Sequence, residues 1–575
     1  MKSFSGLCAA GLLVLLILSF RLPAVAQAPT WQSAHAVAVA TAAVTGNNLN
    51  LSEVTATATD GAGNVYLTGH FTNTVTLGST TLTSFGEADI FVAKFNPASN
   101  QFVWVQRAGG SGTDRAHALA VSGTSVYVAG HFNSLMASFG ATTLTNAGPV
   151  NAYDGYVAKL TDAGSTSSFV WSQRIGGRGD DHAFSLAASG SNVYVAGHFA
   201  SPTASFGATT LTSAGDSDVY VAKLTDAGSF VWAQRAGGRS ADLAFALAVS
   251  GTSVYIAGDF YGSTANFGAT TLTNVGPTNT FDVFVAKLTD AGNSGSFVWA
   301  QRAGGRVDDL CGMLAVSGTS VYIAGEFYGT TTNFGAITLT NAGPSNTCDM
   351  FVAKLTDAGS TGSFVWAQRA GGAGNERAGA LVVGNTGVHV AGGFNGATTN
   401  FGATTLTNAG GYDVYVAKLT DAGSTGSFVW AQRAGGTGDD NAFALAVSGT
   451  SVYVAGSFVG PTTSFGVTTL TNPYFIAFEG LGLLSSLTDL TLAAKTSGPA
   501  VAPAHLFPNP AQGTATLRRP VGLAPEALTL CDALGRPVRR YPAPTGATAA
   551  LDLRGLPTGL YLLYGAGPVQ RLQVE

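Results

Sequence analysis

The chain reads as an all-β protein: a seven-bladed β-propeller closed by its N-terminal strand and followed by a small C-terminal antiparallel β-sandwich. Three features predict this. Tryptophan recurs at Trp31, Trp104, Trp171, Trp232, Trp299, Trp366 and Trp430, spaced by 73, 67, 61, 67, 67 and 64 residues within a nearly constant phrase, and such a period marks a repeat architecture. Each repeat holds four apolar stretches separated by turn residues, too short for helices and matching the four antiparallel strands of a propeller blade. A tryptophan stretch also precedes the first complete set of four, while the last set lacks one.

Taken in order, residues 1–26 combine Lys2, an apolar run and Ala24-Val25-Ala26, the pattern of a signal peptide whose removal leaves Gln27 first. No later apolar run reaches 18 residues, so no membrane-spanning helix is expected. In the fourth repeat the strands fall at 244–250 (A), 253–260 (B), 282–288 (C) and 297–302 (D). The surplus over shorter propeller repeats lies between B and C, where FGATTLTN sits, and predicts a long loop or extra hairpin on one face of every blade. B and C each occur seven times, the last C strand being a degenerate copy at 474–479. The Trp31 strand is expected to pair with it, so that the two chain ends close the ring without an open edge. The propeller thus covers 27–496, a Pro/Ala linker 497–504, and a separate domain 505–575 with short strands at 515–518, 528–532, 537–541, 549–553, 559–564 and 570–574.

Composition agrees, with Gly at 76 of 575 residues and only 10% charged. Residues 27–502 carry 18 basic and 28 acidic side chains, net −10, and residues 503–575 carry 7 and 4, net +3. An acidic body without a Lys/Arg cluster excludes nucleic acid as the expected partner.

The motifs carry two resemblances. YxxGxF, then DxFVAKL about 20 residues on, then a tryptophan strand ending in Gly-Gly, resembles the propeller repeat of secreted bacterial proteins abbreviated SBBP. Residues 63–69 and 89–94 are the nearest copy, and the likeness spans roughly 31–495. It implies a fold and export, with no general catalytic activity. Leu506-Phe507-Pro508-Asn509-Pro510-Ala511, Asp532-Ala533-Leu534-Gly535-Arg536, and Gly555-Leu556-Pro557-Thr558-Gly559-Leu560-Tyr561-Leu562 are similar to the C-terminal sorting domain of the type IX secretion system of Bacteroidota. That resemblance implies recognition by outer-membrane machinery, cleavage, and cargo held on surface lipopolysaccharide, hence an extracellular or cell-surface location reached through the periplasm.

Three sets of residues are candidates for chemistry. The strand C carboxylates Asp89, Asp154, Asp218, Asp282, Asp349 and Asp413, with the acids after Gly-Gly (Asp114, Asp180, Asp181, Asp242, Asp308, Asp309, Glu376, Asp439, Asp440), are expected near one rim. Calcium is the cation that such oxygens would take, yet no complete ligand loop is spelled, and Asp before a strand accepts backbone N–H bonds. Structural turns are the expectation. The strand C lysines (Lys94, Lys159, Lys223, Lys287, Lys354, Lys418) and strand D arginines (Arg107, Arg174, Arg235, Arg302, Arg369, Arg433) suit a polar network between blades. The residue before the last Phe of strand B breaks the symmetry: His70, His131, His198, Asp259, Glu326, Gly393 and Ser457. Equivalent atoms on neighbouring blades should be about 10 Å apart, against about 2 Å for a metal–nitrogen bond, so the first five are read as a solvated, ligand-facing rim and not as a metal site.

Cys311 and Cys348 share blade five, where no other blade has cysteine, and export permits a disulfide. Strand B between them imposes about 9–10 Å, beyond disulfide reach unless the B–C loop folds over; both alternatives stand. Functionally, near-identical blades fit a non-catalytic scaffold binding glycan or protein. The alternative is a secreted polysaccharide hydrolase or lyase, which should spoil the repeat with an acid/base pair in a deep pocket.

Overall fold

The computed structural model describes residues 28–40, 51–277, 279–473, 480–489, 505–518, 527–532, 536–544, 546, 548–564 and 570–575. The expected signal peptide, the linker 497–504 and the expected strand at 474–479 lie outside these. Two compact units divide the chain after Thr491. Among the described residues no helix is long and apolar enough to cross a membrane.

The first unit is a seven-bladed propeller. Strand A of blades one to seven runs Ser52–Thr59, Asp114–Ser122, Asp181–Ser189, Asp242–Ser250, Asp309–Ser317, Glu376–Gly384 and Asp440–Ser448. Each A strand neighbours the A strands of the adjacent blades, and blade seven returns to blade one. Strands B, C and D follow outward in antiparallel order; in blade four they are Ser253–Tyr261, Phe281–Asp290 and Gly295–Gly305.

The FGATTLTN segment forms a hairpin. In blade four, Thr264–Phe267 and Thr270–Thr273 pair with each other, and the first extends the sheet of blade three beyond its strand D through Gly237↔Asn266 and Gly238↔Ala265. The hairpin therefore clasps the outer edge of the preceding blade.

The hydrophobic core is seven wedges between blades. The wedge between blades three and four, for example, joins Val221 and Trp232 to Val254, Ile256, Phe260 and Phe284. Six of the seven wedges are each pinned by one carboxylate. Lys287 of blade four reaches Asp357 of blade five at 2.5 Å, the Tyr255 hydroxyl donates to it at 2.6 Å, and the Trp299 indole N–H donates at 3.0 Å. The same latch joins Lys94, Tyr66 and Trp104 to Asp162, and Lys223, Tyr194 and Trp232 to Asp290. It recurs at Asp226, Asp421 and Asp489, with the Trp171 indole donating to the Asp226 backbone carbonyl instead of the carboxylate, and with His389 replacing the tyrosine in the last. Glycine makes room for the indole, since a Cβ on Gly362 would lie 2.9 Å from Trp299. The lysines thus bridge blades, whereas each strand D arginine pairs within its own blade, as Arg302 does with Asp282 at 2.9 Å.

Closure follows the expected route with two corrections. Trp31–Val37 is strand D of blade seven, but its partner is Gly480–Thr488, not 474–479. Leu481, Leu483, Leu484 and Leu487 are buried there, and apolar burial rather than the repeat motif fixes the strand. Trp31 is also out of phase with the other tryptophans. In blade two, Leu160 faces Phe169 and Lys159 faces Trp171; in blade seven, Leu487 faces Trp31 and Ser486 faces Ser33. Trp31 therefore fills the phenylalanine place, edge-on to Phe465 at 5.0 Å, and a serine pair, Ser33 with Ser486 at 2.7 Å, stands where the tryptophan and lysine would be.

The second unit is a small sandwich of two antiparallel sheets. One holds His505–Phe507, Thr514–Arg518 and Thr548–Asp552; the other holds Pro537–Tyr541, Leu528–Asp532, Gly559–Tyr564 and Gln570–Val574. Leu517, Leu530, Leu551, Leu563 and Leu572 fill its core.

Deleting residues 27–39 removes strand D of blade seven and opens the ring. The expected result is a melting temperature lower by roughly 5 to 10 °C, taking about 2–4 °C per kcal/mol for a large domain, with a broadened transition in calorimetry. An unchanged sharp transition would show that the strand does not close the ring.

Candidate functional site

The site forms where every strand A slips register by one residue. In blade four Ala244 faces Gly258 and Ala246 faces Ala257, which leaves Phe245 unpaired. The cause is the glycine of strand B: a Cβ on Gly258 would sit 1.9 Å from the Leu243 carbonyl oxygen. Glycine lets the strands approach this closely, and the resulting bulge re-aims one side chain. Repeated seven times, the bulge places Thr55, His117, Phe184, Phe245, Gly312, Gly379 and Phe443 around the central channel, above leucines that include Leu119, Leu247 and Leu381. The cavity there is about 500 Å³. Sequence reasoning missed this ring, although its signal was present: one strand A position reads Thr, His, Phe, Phe, Gly, Gly, Phe while its neighbours repeat.

The five strand B residues expected on a solvated rim are buried or partly buried instead: His70 lines the channel cavity, and Asp259 and Glu326 line a second cavity beside it. His70 is 5% exposed, His131 7% and Asp259 3%; His198 and Glu326 are partly buried. Their strand A partners Glu53, Arg115, His182, Leu243 and Leu310 also vary from blade to blade. The expected separation of about 10 Å concerned equivalent strand B atoms; close contacts arise instead from histidines that strand A contributes. His131 Nδ1 lies 3.0 Å from His117 Nε2 and 2.9 Å from His182 Nδ1. Phe184 stacks on His182 and His198 at 5.5 and 5.3 Å. Burial first, and then the positive neighbours, hold His70, His117 and His198 neutral, with pKa values down at about 3. Among the described residues, no group of three or more His, Cys, Asp or Glu side chains is arranged to hold a metal ion.

Blades four and five carry acids at the equivalent strand B position. Asp259 accepts the Cys311 N–H at 2.7 Å, and a cavity of about 370 Å³ runs from Phe245 and Gly312 to Asp259 and Glu326. Burial pushes the Glu326 carboxyl up to about 7 and the Asp259 carboxyl well above the carboxylate range.

The repeat carboxylates sit in a second, buried layer. Asp89, Asp154, Asp218, Asp282, Asp349 and Asp413 are fully buried; each meets its blade's strand D arginine and accepts a loop N–H, such as Val275 N–H to Asp282 at 3.1 Å. Opposite them, Asp114, Asp181, Asp242, Asp309, Glu376 and Asp440 accept an N–H from Gly-Gly, as Asp242 does from Gly238 at 2.6 Å. Asp180, Asp308 and Asp439 accept the N–H of the residue before the strand C aspartate. The buried strand C acid of one blade faces the strand A acid of the next beneath a glycine: a Cβ on Gly176 would lie 2.4 Å from Asp154 Oδ1 and 2.5 Å from Asp181 Oδ2. Burial, reinforced by the facing acid, raises Asp181 to about 6, Asp309, Glu376 and Asp440 to about 7, and Asp242 to about 8. N–H donors and a retained proton hold these pairs.

Cys311 and Cys348 are free, buried thiols. Strand B pairs with both strands A and C between them. Cys311 Sγ lies 3.5 Å from the Ala324 carbonyl oxygen and Cys348 Sγ lies 3.6 Å from Asn375 Oδ1, so the disulfide alternative is corrected.

No family model matches the chain and no curated protein matches it. Among solved structures it is similar to a protein from Lactobacillus plantarum (10% identity, 84% of this chain and 99% of that one, TM-score 0.34), to a putative oxidoreductase (glucose dehydrogenase) from Thermus thermophilus (9%, 79% and 99%, 0.30) and to the phage phi92 endosialidase (9%, 92% and 86%, 0.33).

The buried acids and imidazoles set the pH response. Carboxyls with raised folded pKa values hold protons that the unfolded chain has released, so their contribution is present at low pH and is lost as pH rises through 6 to 8. The imidazoles act oppositely: neutral when folded, they cost stability once pH falls below their ordinary 6.5. Thermal melts should therefore fall by several degrees between about pH 6.5 and 8.5, where the imidazoles no longer offset the carboxyls. Asp242→Asn, which mimics the protonated acid, should reduce the alkaline loss; a melting temperature that climbs from pH 6.5 to 8.5 would contradict the assignment.

Proposed function

We propose that the protein is an exported, non-catalytic binding propeller that captures a glycan in the mouth of its central channel. One observation carries this reading: the blades vary at the channel mouth while their cores and latches repeat, the pattern of a scaffold adapted at one surface. Phe184, Phe245 and Phe443 offer ring faces, Glu53, Arg115 and Thr55 offer hydrogen-bonding groups, and the cavity of about 500 Å³ lies within the range of small-ligand sites. A polysaccharide hydrolase or lyase is the second reading, favoured by the two carboxyls Asp259 and Glu326 beside one cavity.

A glycan array probed with the mature chain identifies the ligand. Phe184→Ala/Phe245→Ala should then weaken its binding roughly tenfold or more, the loss typical of aromatic anchors, with little change in fold by circular dichroism. Unaltered affinity would remove the channel mouth from the reading. Release of new reducing ends from that glycan by the wild type would establish the enzyme instead.

The proposal extends to export by the type IX system through residues 505–575 and to retention on surface lipopolysaccharide, supported by the SBBP-like repeat and the ordered tail motifs. Removing residues 506–575 should leave the propeller in the periplasm in cell fractionation. Equal surface display of the truncated chain would show that the tail is not the address.

A further inference from the structure

We infer that Asp259 and Glu326 form a subsite for the ammonium group of an amino sugar, entered from the channel through the gap at Gly312. This deepens the glycan-binding reading and rests on it. The gap is built. At the bulge position where blades three, four and seven carry phenylalanine, a Cβ on Gly312 would meet nothing within 4 Å. The opening leads into the cavity of about 370 Å³ walled by Leu243, Phe245, Phe281 and Met313, with both acids at its side. No other blade has an acid at this strand B position.

Asp259 faces no cation. Asp259 is 3% exposed; Oδ1 accepts the Cys311 N–H, and Oδ2 has no hydrogen-bond partner among the described residues. The charged groups facing Asp259 are Glu326, Asp309 and Asp308, all acidic. Arg377 faces Glu326, but it is shared with Tyr328, Cys348 and Tyr412, lying 5.3 Å over the Tyr412 ring. A buried carboxyl without a cation keeps its proton, and an entering ammonium supplies the missing charge. The aromatic walls favour it further. Amine binding must therefore displace the carboxyl protons, and the cavity has the volume for one sugar-sized group.

Calorimetric titration of the mature chain with a glucosamine tetramer and with its N-acetylated counterpart separates this inference from its premise. The expected result is roughly tenfold or tighter binding of the free amine, the scale of a charged hydrogen bond, with proton release seen as a buffer-dependent enthalpy. Asp259→Asn/Glu326→Gln should remove both the preference and the proton release, and Gly312→Phe should block the amine while leaving the melting temperature near that of the wild type. Equal binding of the two tetramers, insensitive to the acid variants, would overturn the inference and keep the channel as a glycan site. Binding of neither would overturn both.

Discussion

The ring depends on one repeated contact: a carboxylate at the end of strand C that receives a lysine, a tyrosine hydroxyl and an indole N–H from the preceding blade. Neither neighbour contains the contact alone, so a blade cannot satisfy its own buried groups. Lys287 and Asp357 are 7% and 6% exposed as side chains, and removing one partner of such a pair leaves an uncompensated buried charge, a loss of about 3–5 kcal/mol. Asp226 is the exception, its side chain 45% exposed, and that latch is worth less because solvent screens it. The indole serves twice, donating to the carboxylate and covering the apolar wedge, which explains why tryptophan keeps the period so visibly.

Identical latches tell a blade that it has a neighbour but not which one. The seventh junction is different. Ser486 replaces the lysine and Ser33 the tryptophan, and the seam between blades seven and one is held by Val37, Ala38, Val54 and Leu484 with the Ser52 hydroxyl bridging Val37 O and Gly482 N–H. Because only this junction has its own chemistry, it fixes where the chain closes. Shape and apolar burial specify it, the terms least visible in a motif search.

That contrast also explains what was legible in the sequence. The number of blades, the four-strand unit and the N-terminal closure followed from periodicity, because each repeat obeys the same packing. The partner of Trp31 was misplaced since Gly480–Thr488 has lost the repeat motif and keeps only buried leucines. The strand B residues His70, His131, His198, Asp259 and Glu326 were rightly singled out as asymmetric but placed on a solvated rim, because the bulge opposite Gly258 and its six equivalents turns on a contact of backbone with backbone. Alternation alone assigns no residue to the channel. The bulged His117 and the strand A residue His182 join His131, contacts that the strand B pattern by itself does not display.

The same glycine explains why variation gathers at the mouth. A bulged residue has no cross-strand partner, so its side chain can change without disturbing the ladder, while its strand A neighbours, such as Ala244 and Ala246, pack in the interblade wedges. Thr55, His117, Phe184, Gly312 and Gly379 differ in volume and charge, yet the six latches and seven wedges around them remain alike. The propeller therefore separates two demands: interblade contacts that must repeat for the ring to close, and an axial layer that is free to be individual. The imidazole arc of blades one to three and the acids of blades four and five make that layer polar in a direction, with Gly312 opening it on the acidic side. Glu53, Arg115, His70 and His117 line the channel itself, whereas Asp259 and Glu326 line the side cavity that Gly312 shares with it.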